Sequence, residues 1–301
     1  MKKRNNAISK WGVIALLLVF LCTFLSGCQG EGEYETHTFF LKNDRGTYTY
    51  GELVLPKASK DVPLVFMAHG FKGTRNSGGA KELSHRLASK GIAAVRIDFN
   101  GYLEEDTKAS RSDSYTLTDM CNDAVMTIDY VLENYNVDSS RIGLHGRSMG
   151  GRVVMMLANE NKGGFDYKAM SLVAPAGNDS AMVYYMGGEE KWEEMKEIAL
   201  AEGFCPKQGL NLSYNWFTDF EDYNPAETGY QFGDKPVLVF YNTLDHVVLP
   251  ITSKICAAGY SNVEVVEVTT EDGHGYEMGF EESQLKDQIM DQIVNLFEKE
   301  L

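Results

Sequence analysis

The stretch Arg141-Ile142-Gly143-Leu144-His145-Gly146-Arg147-Ser148-Met149-Gly150-Gly151 decides the fold of this chain. Its first residues, 141–145, predict a short buried strand, and residues 153–158 predict a helix that starts soon after the glycines. A serine in the pattern G-x-S-x-G between a strand and a helix lies on a sharp turn that lifts its hydroxyl above the sheet edge. The small flanking residues keep that turn free of clashes with its neighbours. Ser148 is therefore the predicted nucleophile.

Strand and helix patterns alternate on both sides of this motif. Two segments with alternating apolar and polar residues surround Asn43-Asp44-Arg45-Gly46 and predict an opening hairpin. Later strands are continuous apolar runs, as expected for a sheet buried on both faces. The predicted strands are 36–42, 47–55, 63–68, 92–99, 141–145, 168–174, 237–241 and 263–268, and the predicted helices are 80–90, 117–135, 153–158 and a closing helix near 285–296. The chain is therefore predicted to have an α/β fold with a mostly parallel central sheet and helices on both faces.

One segment, residues 177–233, interrupts this alternation, and we call it the insertion. It is far longer than an ordinary connection between a strand and a helix. It holds eleven acidic residues and three lysines, and the aromatic residues interleaved with them include Tyr184, Tyr185, Trp192, Phe204, Tyr214, Trp216, Phe217, Phe220 and Tyr223. Inserts of this size often form lids or binding surfaces. A solvated acidic helix that packs its aromatic side chains inward explains the same composition, and both descriptions can hold together.

A serine hydroxyl is a weak nucleophile, so a histidine must lie within hydrogen-bond reach of Ser148 as a general base. In this strand–turn–helix context the order along the chain is serine, acid, histidine. His274 follows the last predicted strand and satisfies this order, and Asp245 follows the strand before it. Asp272 competes as the acid, but its position two residues from His274 favours a role in the turn. The other five histidines are predicted to be structural or loop residues: His37, His69, His85, His145 and His246.

The developing negative charge of an acyl-transfer reaction needs two fixed N–H donors. One is predicted to be the backbone N–H of Met149, the residue after the nucleophile. The other is predicted to be the N–H of Phe71, in the loop His69-Gly70-Phe71-Lys72-Gly73 after the third strand. No metal or cofactor is expected for this chemistry. Arg147 could contact an anionic group of a substrate or pair with a carboxylate of the insertion, and the ion pair is the favoured prediction.

Composition excludes two classes of protein. The chain has 301 residues, a net charge of −15 and 44% hydrophobic residues. The apolar content is too high for a disordered chain. The excess of acidic residues argues against a nucleic-acid partner, because a phosphate backbone requires a concentrated basic patch. The oligomeric state leaves no signature in the sequence.

The N-terminus has the pattern of a secretory signal. Residues 1–27 carry four basic residues and no acidic ones, and an apolar run occupies residues 11–25. The run is short for a membrane-spanning helix. Leu25-Ser26-Gly27-Cys28 resembles the lipobox of bacterial lipoproteins, which implies cleavage before Cys28 and lipid attachment to its sulfur. Residues 28–34 would then be a tether, and residues 35–301 would form an extracytoplasmic hydrolase domain anchored to the bacterial cell membrane.

Three cysteines would remain for other roles, namely Cys121, Cys205 and Cys256. An odd number excludes a complete disulfide framework and allows at most one bridge. The sequence contains no Cys-x-x-Cys pair and no Cys/His cluster with metal-binding spacing. A metal site is therefore not expected.

Residues 35–301 resemble the α/β-hydrolase superfamily, through 146–151, His69-Gly70-Phe71, Asp245 and His274. More narrowly, Arg75-Asn76 and Arg96-Ile97-Asp98-Phe99-Asn100-Gly101 resemble segments of bacterial cinnamoyl (feruloyl) esterases and related serine-aminopeptidase-type hydrolases. The chain departs from that pattern at 101–106, Gly-Tyr-Leu-Glu-Glu-Asp, and at residue 147, which is Arg where His is common. Both departures lie near the expected mouth of the site.

The resemblance implies an α/β-hydrolase fold with an insertion before the strand that carries the acid. It also implies a serine esterase that uses a Ser148–His274–Asp245 set and an acyl-enzyme intermediate. The expected substrate is a small or polysaccharide-linked ester, such as a feruloyl or acetyl ester. Two alternatives remain: a serine peptidase of the aminopeptidase type, and a surface-binding lipoprotein that keeps the fold without turnover.

Overall fold

The computed structural model describes residues 33–57, 60–102, 116–207 and 209–301. The predicted signal segment and Cys28 lie outside the described residues, as does most of the departing segment after Gly101. Within the described part of the chain, no helix is long and apolar enough to cross a membrane.

Eight strands of the described residues form one central sheet. They are β1 (Tyr34–Lys42), β2 (Tyr48–Pro56), β3 (Val62–Ala68), β4 (Ala93–Tyr102), β5 (Val137–Arg147), β6 (Tyr167–Val173), β9 (Val237–Asn242) and β10 (Val263–Val268). Two further strands in the insertion, β7 (Phe204–Lys207) and β8 (Leu210–Ser213), pair only with each other. The order across the main sheet is β1-β2-β4-β3-β5-β6-β9-β10. Pairs β1–β2 and β2–β4 are antiparallel, and every other pair is parallel.

Helices cover both faces of this sheet. They are α1 (Ala80–Ser89), α2 (Leu117–Asn134), α3 (Met149–Asn159), α4 (Asp179–Met186), α5 (Glu189–Glu202), α6 (Tyr214–Asp222), α7 (Pro250–Ala258) and α8 (Gln284–Glu300). Successive side chains of β3 point to opposite faces. Leu64 and Phe66 join the apolar core under α2 and α3, whereas Val65 and Met67 join the core under α1 and α8. The predicted α/β fold with a mostly parallel sheet is confirmed.

The ends of individual elements follow local sequence rules. Thr116 precedes α2, and its side chain accepts a hydrogen bond from the Asp119 N–H while the Asp119 carboxylate accepts one from the Thr116 N–H. Gly91 follows α1 with φ of 84°, the left-handed backbone that glycine adopts at no steric cost. Helix α7 was not predicted. It starts at Pro250, a residue that fits the first turn of a helix because its missing N–H has no acceptor there.

The insertion folds into α4, α5, the β7–β8 hairpin and α6, followed by two short 3₁₀ turns. On α5 the glutamates are exposed, whereas Trp192 and Met195 are buried against the rest of the insertion. Trp216 and Phe217 of α6 are also buried, and both rings pack against Trp192. The insertion therefore has an acidic outer surface over an aromatic core.

The three cysteines of the described residues are all buried and unpaired. Burial raises the pKa of Cys121 and of Cys256 to about 12, so both remain protonated thiols at neutral pH. None of them is placed to form the single bridge that the sequence allowed.

Candidate active site

Ser148 occupies the turn between β5 and α3. Its backbone has φ of 55° and ψ of −123°, which is a strained conformation for a residue with a side chain. The turn is held on both sides, because the Ser148 N–H donates to the Val173 carbonyl at 2.9 Å and its own carbonyl accepts from Ala176 at 3.0 Å. Adjacent strand β6 thus fixes the strained residue.

The glycines around Ser148 allow close backbone approaches. A Cβ on Gly146 would overlap the Gly150 carbonyl, and one on Gly150 would overlap the carbonyls of Ala68 and His69. The first turn of α3 therefore packs directly on the end of β3. A Cβ on Gly70 would lie 3.1 Å from the Ser148 Cβ, so the oxyanion loop (residues 69–73, after β3) runs beside the nucleophile.

Two backbone N–H groups next to Ser148 and in the oxyanion loop have no hydrogen-bond acceptor in the part of the chain that the structure describes. Among the described residues, neither the Phe71 N–H nor the Met149 N–H donates a hydrogen bond. Met149 is the first residue of α3, where the helix leaves its initial N–H groups unpaired and carries partial positive charge. These are the two donors that the sequence predicted for an oxyanion.

Asp245 and His274 lie together at the same edge of the sheet. His274 Nδ1 is 2.7 Å from Asp245 Oδ2. Asp245 is 3% exposed, and its other carboxylate oxygen accepts hydrogen bonds from the N–H groups of Val247 at 2.9 Å and Val248 at 3.0 Å. A carboxylate can only accept, so His274 carries its proton on Nδ1 and leaves Nε2 as an acceptor.

The competing acid, Asp272, is exposed, and among the described residues no hydrogen bond joins its carboxylate to the His274 ring. Its Oδ2 accepts a hydrogen bond from the Glu277 N–H at 2.7 Å, and its carbonyl accepts one from the Gly275 N–H at 2.9 Å. Asp272 therefore shapes the turn that carries His274.

A hydrogen bond of Arg147 links the Ser148 turn to the loop that carries His274. Arg147, which precedes Ser148, donates a hydrogen bond from Nη2 to the backbone carbonyl of His274. Within the described residues, no hydrogen bond joins the Ser148 hydroxyl to the His274 ring. Hydrogen bonds of this kind often tighten only when a substrate is bound.

The prediction of an ion pair between Arg147 and the insertion is wrong. No carboxylate in the described part of the chain lies within ion-pair distance of its guanidinium, which lies beside Gly78 and donates to the backbone carbonyl of His274. The side chain turns toward the histidine because β5 ends beside the loop that follows β10, not beside α5. Burial lowers the pKa of Arg147.

Two histidines near the site are structural. His69 Nδ1 lies 2.7 Å from the Gly70 carbonyl, and His69 Nε2 accepts a hydrogen bond from the Phe99 N–H at 3.2 Å. Burial lowers the pKa of His69. His145 Nδ1 lies 2.7 Å from the Ser171 hydroxyl inside the sheet, and burial lowers the pKa of His145 to about 4. Both rings are neutral at physiological pH, as expected of satisfied core histidines.

Sequence reasoning missed a buried arginine on the helix of the nucleophile. Arg152 is fully buried and donates to four backbone carbonyls: Ala176 at 3.3 Å, Asn178 at 3.0 Å, Phe220 at 2.8 Å, and Tyr223. The first two lie where the chain enters the insertion, and the last two end α6. A charged residue four positions after Ser148 on an otherwise apolar helix was the available signal. Arg152 fastens the insertion to α3.

The insertion also reaches the oxyanion loop. The Phe71 ring lies 6.1 Å from the Tyr185 ring of α4 and 5.9 Å from the Trp216 ring of α6, measured between centroids. Asp219 of α6 accepts hydrogen bonds from the N–H and hydroxyl of Thr118 at the start of α2. The aromatic side chains of the insertion thus form a wall next to one predicted oxyanion donor.

Comparison with known sequences places this arrangement in a family. Residues 59–210, half of the chain, match the family described as serine aminopeptidase, S33 (Hydrolase_4). The chain belongs to this serine hydrolase family. The matched part contains the oxyanion loop and the Ser148 turn, whereas Asp245 and His274 lie beyond it.

Curated relatives include Cutinase 2 of Thermobifida cellulosilytica, which is 30% identical over 125 residues, 42% of this chain and 44% of that protein. Cutinase cut1 of Thermobifida fusca is also 30% identical over 125 residues, which are 36% of its length. The chain therefore spans less than half the length of these curated relatives.

Solved structures with the same architecture include Est1E from Butyrivibrio proteoclasticus with ferulic acid bound. Its TM-score is 0.64 at 19% identity, over 87% of this chain and 98% of that one. An acetyl xylan esterase from Paenibacillus sp. R4 gives a TM-score of 0.62 at 18% identity, over 87% of this chain and 84% of that one. At these identities the likeness establishes the fold, and the predicted α/β-hydrolase fold is confirmed.

Proposed function

We propose that this protein hydrolyses carboxylic esters through a covalent acyl-enzyme. The observation that carries the proposal is the 2.7 Å hydrogen bond between His274 Nδ1 and the buried Asp245 carboxylate, at the sheet edge where the strained Ser148 turn lies. In this assignment Ser148 is the nucleophile, His274 the general base, and Asp245 the group that orients the imidazole. The Phe71 and Met149 N–H groups hold the oxyanion.

The reaction follows from these positions in two steps. His274 Nε2 takes the Ser148 proton as the serine oxygen attacks the ester carbonyl, and the oxyanion accepts hydrogen bonds from the two N–H groups. Asp245 stabilises the imidazolium without taking its proton. His274 then protonates the leaving alcohol, and a water molecule hydrolyses the acyl-serine by the same route. These steps need no group beyond the side chains and the two backbone N–H donors named.

The proposed substrate is a small or polysaccharide-linked ester, with feruloyl and short acyl esters as the first candidates. Support comes from the cutinase relatives and from two structural neighbours, one with ferulic acid bound and one named an acetyl xylan esterase. The half-buried rings of Phe71 and Tyr185, with the buried ring of Trp216 behind Phe71, offer an apolar surface where the acyl or alcohol part could pack.

The second candidate function is a serine peptidase. The name of the matched family, serine aminopeptidase, favours it, and the same nucleophile and base serve amide hydrolysis. Paired p-nitrophenyl ester and p-nitroanilide substrates with the same acyl group separate the two functions.

The experiment that tests the proposed function is an ester panel on the purified protein and its Ser148→Ala variant. The panel spans acetyl, butyryl and octanoyl p-nitrophenyl esters and methyl ferulate. We expect turnover of at least one ester by the wild type and a loss of about a millionfold in kcat in Ser148→Ala. Unchanged thermal unfolding of the variant would show that its fold is intact. Turnover that persists in Ser148→Ala, or no turnover of any ester by the wild type, would contradict the proposal and leave a binding role.

We further propose that the mature chain is anchored outside the cytoplasm by a lipid on Cys28. The support is the sequence pattern of residues 1–28, a basic start, an apolar run and Leu25-Ser26-Gly27-Cys28. Several acyl chains on one residue would hold the domain firmly at the membrane.

A further inference from the structure

His274 lies in a loop that belongs neither to the sheet nor to an α-helix. The histidine loop (residues 269–283, between β10 and α8) contains one short 3₁₀ turn, Gly273–Gly275. Tyr276 and Glu277 follow with φ of 56° and 57°, in the left-handed region that side chains disfavour. A conformation of this kind persists only when its surroundings fix it. The groups that fix it therefore control where the His274 ring lies.

One of these groups is Asn242, the fully buried last residue of β9. Its Oδ1 accepts hydrogen bonds from the Leu244 N–H at 3.1 Å and from the Thr270 N–H at 3.1 Å. Its Nδ2 donates to the Thr270 carbonyl at 2.9 Å and to the Gly273 carbonyl at 2.7 Å. All four hydrogen-bonding positions of the amide are used. The side chain thus joins the acid loop (residues 243–249, before α7) to the histidine loop.

The second group is Arg147, which donates a hydrogen bond to the carbonyl of the following residue, His274. Asn242 Nδ2 donates a hydrogen bond to the carbonyl of Gly273, and Arg147 Nη2 donates one to the carbonyl of His274 itself. The two peptide groups on either side of the His274 Cα therefore each accept a side-chain hydrogen bond, one from Asn242 and one from Arg147. One donor comes from the strand that precedes Asp245, and the other from the residue before Ser148.

We infer that Asn242 and Arg147 are positioning residues that together set His274 between its acid and its nucleophile. The inference rests on the proposed function for its catalytic meaning. Asn242 lies at the end of β9, the strand before Asp245, and Arg147 lies at the end of β5, the strand before Ser148. Loss of the Asn242 amide frees the histidine loop from the acid loop, and loss of the Arg147 guanidinium frees it from the Ser148 turn.

The arrangement also explains why an arginine follows Gly146. The donor that reaches the His274 carbonyl from the end of β5 is the terminal Nη2 of a long side chain. Gly78 makes room for it, because a Cβ there would lie 2.6 Å from Arg147 Nη1.

The test uses Arg147→Met and Asn242→Ser, each with a matched control. Arg141→Met changes an arginine in the first half of β5 that also donates to a backbone carbonyl, that of Asp61. Asn262→Ser changes an asparagine that donates to the Asp234 carbonyl at 2.8 Å, away from the site. We expect kcat to fall about 100-fold in each test variant with KM changed little, because misplacing a catalytic group by about 1 Å costs on that order. The controls keep the wild-type kcat.

A second measurement does not depend on turnover. The His274 Nδ1 proton, hydrogen-bonded to a carboxylate, gives a far-downfield proton resonance, which we expect to broaden or move upfield in both test variants and to stay unchanged in both controls. Arg147→Lys keeps one donor, and we expect it to restore part of the kcat and of the resonance.

Wild-type kcat and an unshifted resonance in a folded Arg147→Met protein would overturn the inference. If Asn242→Ser fails to fold, Arg147→Met and Arg147→Lys still decide the result. If the wild type shows no Ser148-dependent turnover, the proposed function fails, and the resonance alone then supports or overturns the positioning role.

Discussion

The carboxylate of Asp245 and the ring of His274 meet across two loops that follow neighbouring parallel strands, β9 and β10. The carboxyl ends of parallel strands lie at one edge of the sheet. Strand β5, which is separated from β9 by β6, brings Ser148 to the same edge. Asp245 is buried and both of its carboxylate oxygens accept hydrogen bonds, so its position is fixed. The topology of the sheet, rather than closeness in sequence, assembles the site.

Asp245→Asn tests which acid serves His274. An amide that donates its N–H to His274 Nδ1 stabilises the tautomer with the proton on Nε2, and that nitrogen then cannot accept the Ser148 proton. We therefore expect kcat to fall by about four orders of magnitude. Asp272→Asn is the matched control, because Asp272 lies in the histidine loop but holds only its turn. Steady-state kinetics on both variants decide between them. A large loss in Asp272→Asn with a mild one in Asp245→Asn would show that the acid is misassigned.

Gly150→Ala tests the contact between the Ser148 turn and the oxyanion loop. A methyl group there would overlap the carbonyls of Ala68 and His69 and push the loop that carries the Phe71 N–H. Displacing one oxyanion donor typically costs 100- to 1,000-fold in kcat, and we expect a loss of about that size. Gly279→Ala is the control, since no atom lies within 4 Å of a Cβ at Gly279. Equal kcat in the two variants would count against this role of the loop.

Local patterns in the sequence predicted most of the sheet and the reactive turn. Strand β3 is a continuous apolar run because both of its faces are covered, and Ser148 is marked by glycines that its turn requires sterically. Such features depend on near neighbours, so they are visible in one sequence.

The remaining features depend on residues that are distant in the chain. Arg147 meets the His274 carbonyl 127 residues away, and Arg152 meets the Tyr223 carbonyl 71 residues away. Only the folded chain brings these residues, which are distant in sequence, into contact. Helix α7 was missed because its short apolar pattern, Pro250–Ala258, includes exposed Ile251 and Ile255 and so gives a weak periodicity.

Arg152→Met tests whether the insertion is fastened to α3. The change leaves buried carbonyls at Phe220 and Tyr223 without their donor, and we expect the free energy of unfolding to fall by about 3 kcal/mol or more. Arg86→Met is the control, because Arg86 pairs with three carboxylates at the surface, where such contacts contribute less than about 1 kcal/mol. Urea denaturation followed by circular dichroism measures both. Equal losses would mean that the buried arginine is replaceable.

His145→Asn tests a source of acid sensitivity in the core. Burial lowers the pKa of His145 from 6.5 to about 4, so between these values the unfolded chain binds a proton that the folded protein does not. Stability from this residue is therefore complete above pH 6.5 and is lost as the pH falls toward 4, by about 3 kcal/mol in all.

We expect His145→Asn to show a shallower fall of unfolding free energy over that pH range than the wild type. The slope is the measured quantity, because any cavity in the variant lowers stability equally at every pH. His246→Asn, at an exposed histidine, should keep the wild-type slope. An unchanged slope in His145→Asn would show that His145 does not remain neutral in the folded protein.

Cys28→Ser tests the proposed lipid anchor on the full-length chain. If the sulfur of Cys28 carries acyl chains, cells fed an alkyne analogue of palmitate should label the wild type and leave Cys28→Ser unlabelled. Cys22→Ser is the matched control, because Cys22 lies six residues earlier in the segment that cleavage would remove, and this variant should keep the label. Membrane fractionation alone does not separate the cases, since an uncleaved apolar segment also binds membranes. Label that persists in Cys28→Ser would place the acyl chains elsewhere and overturn the assignment.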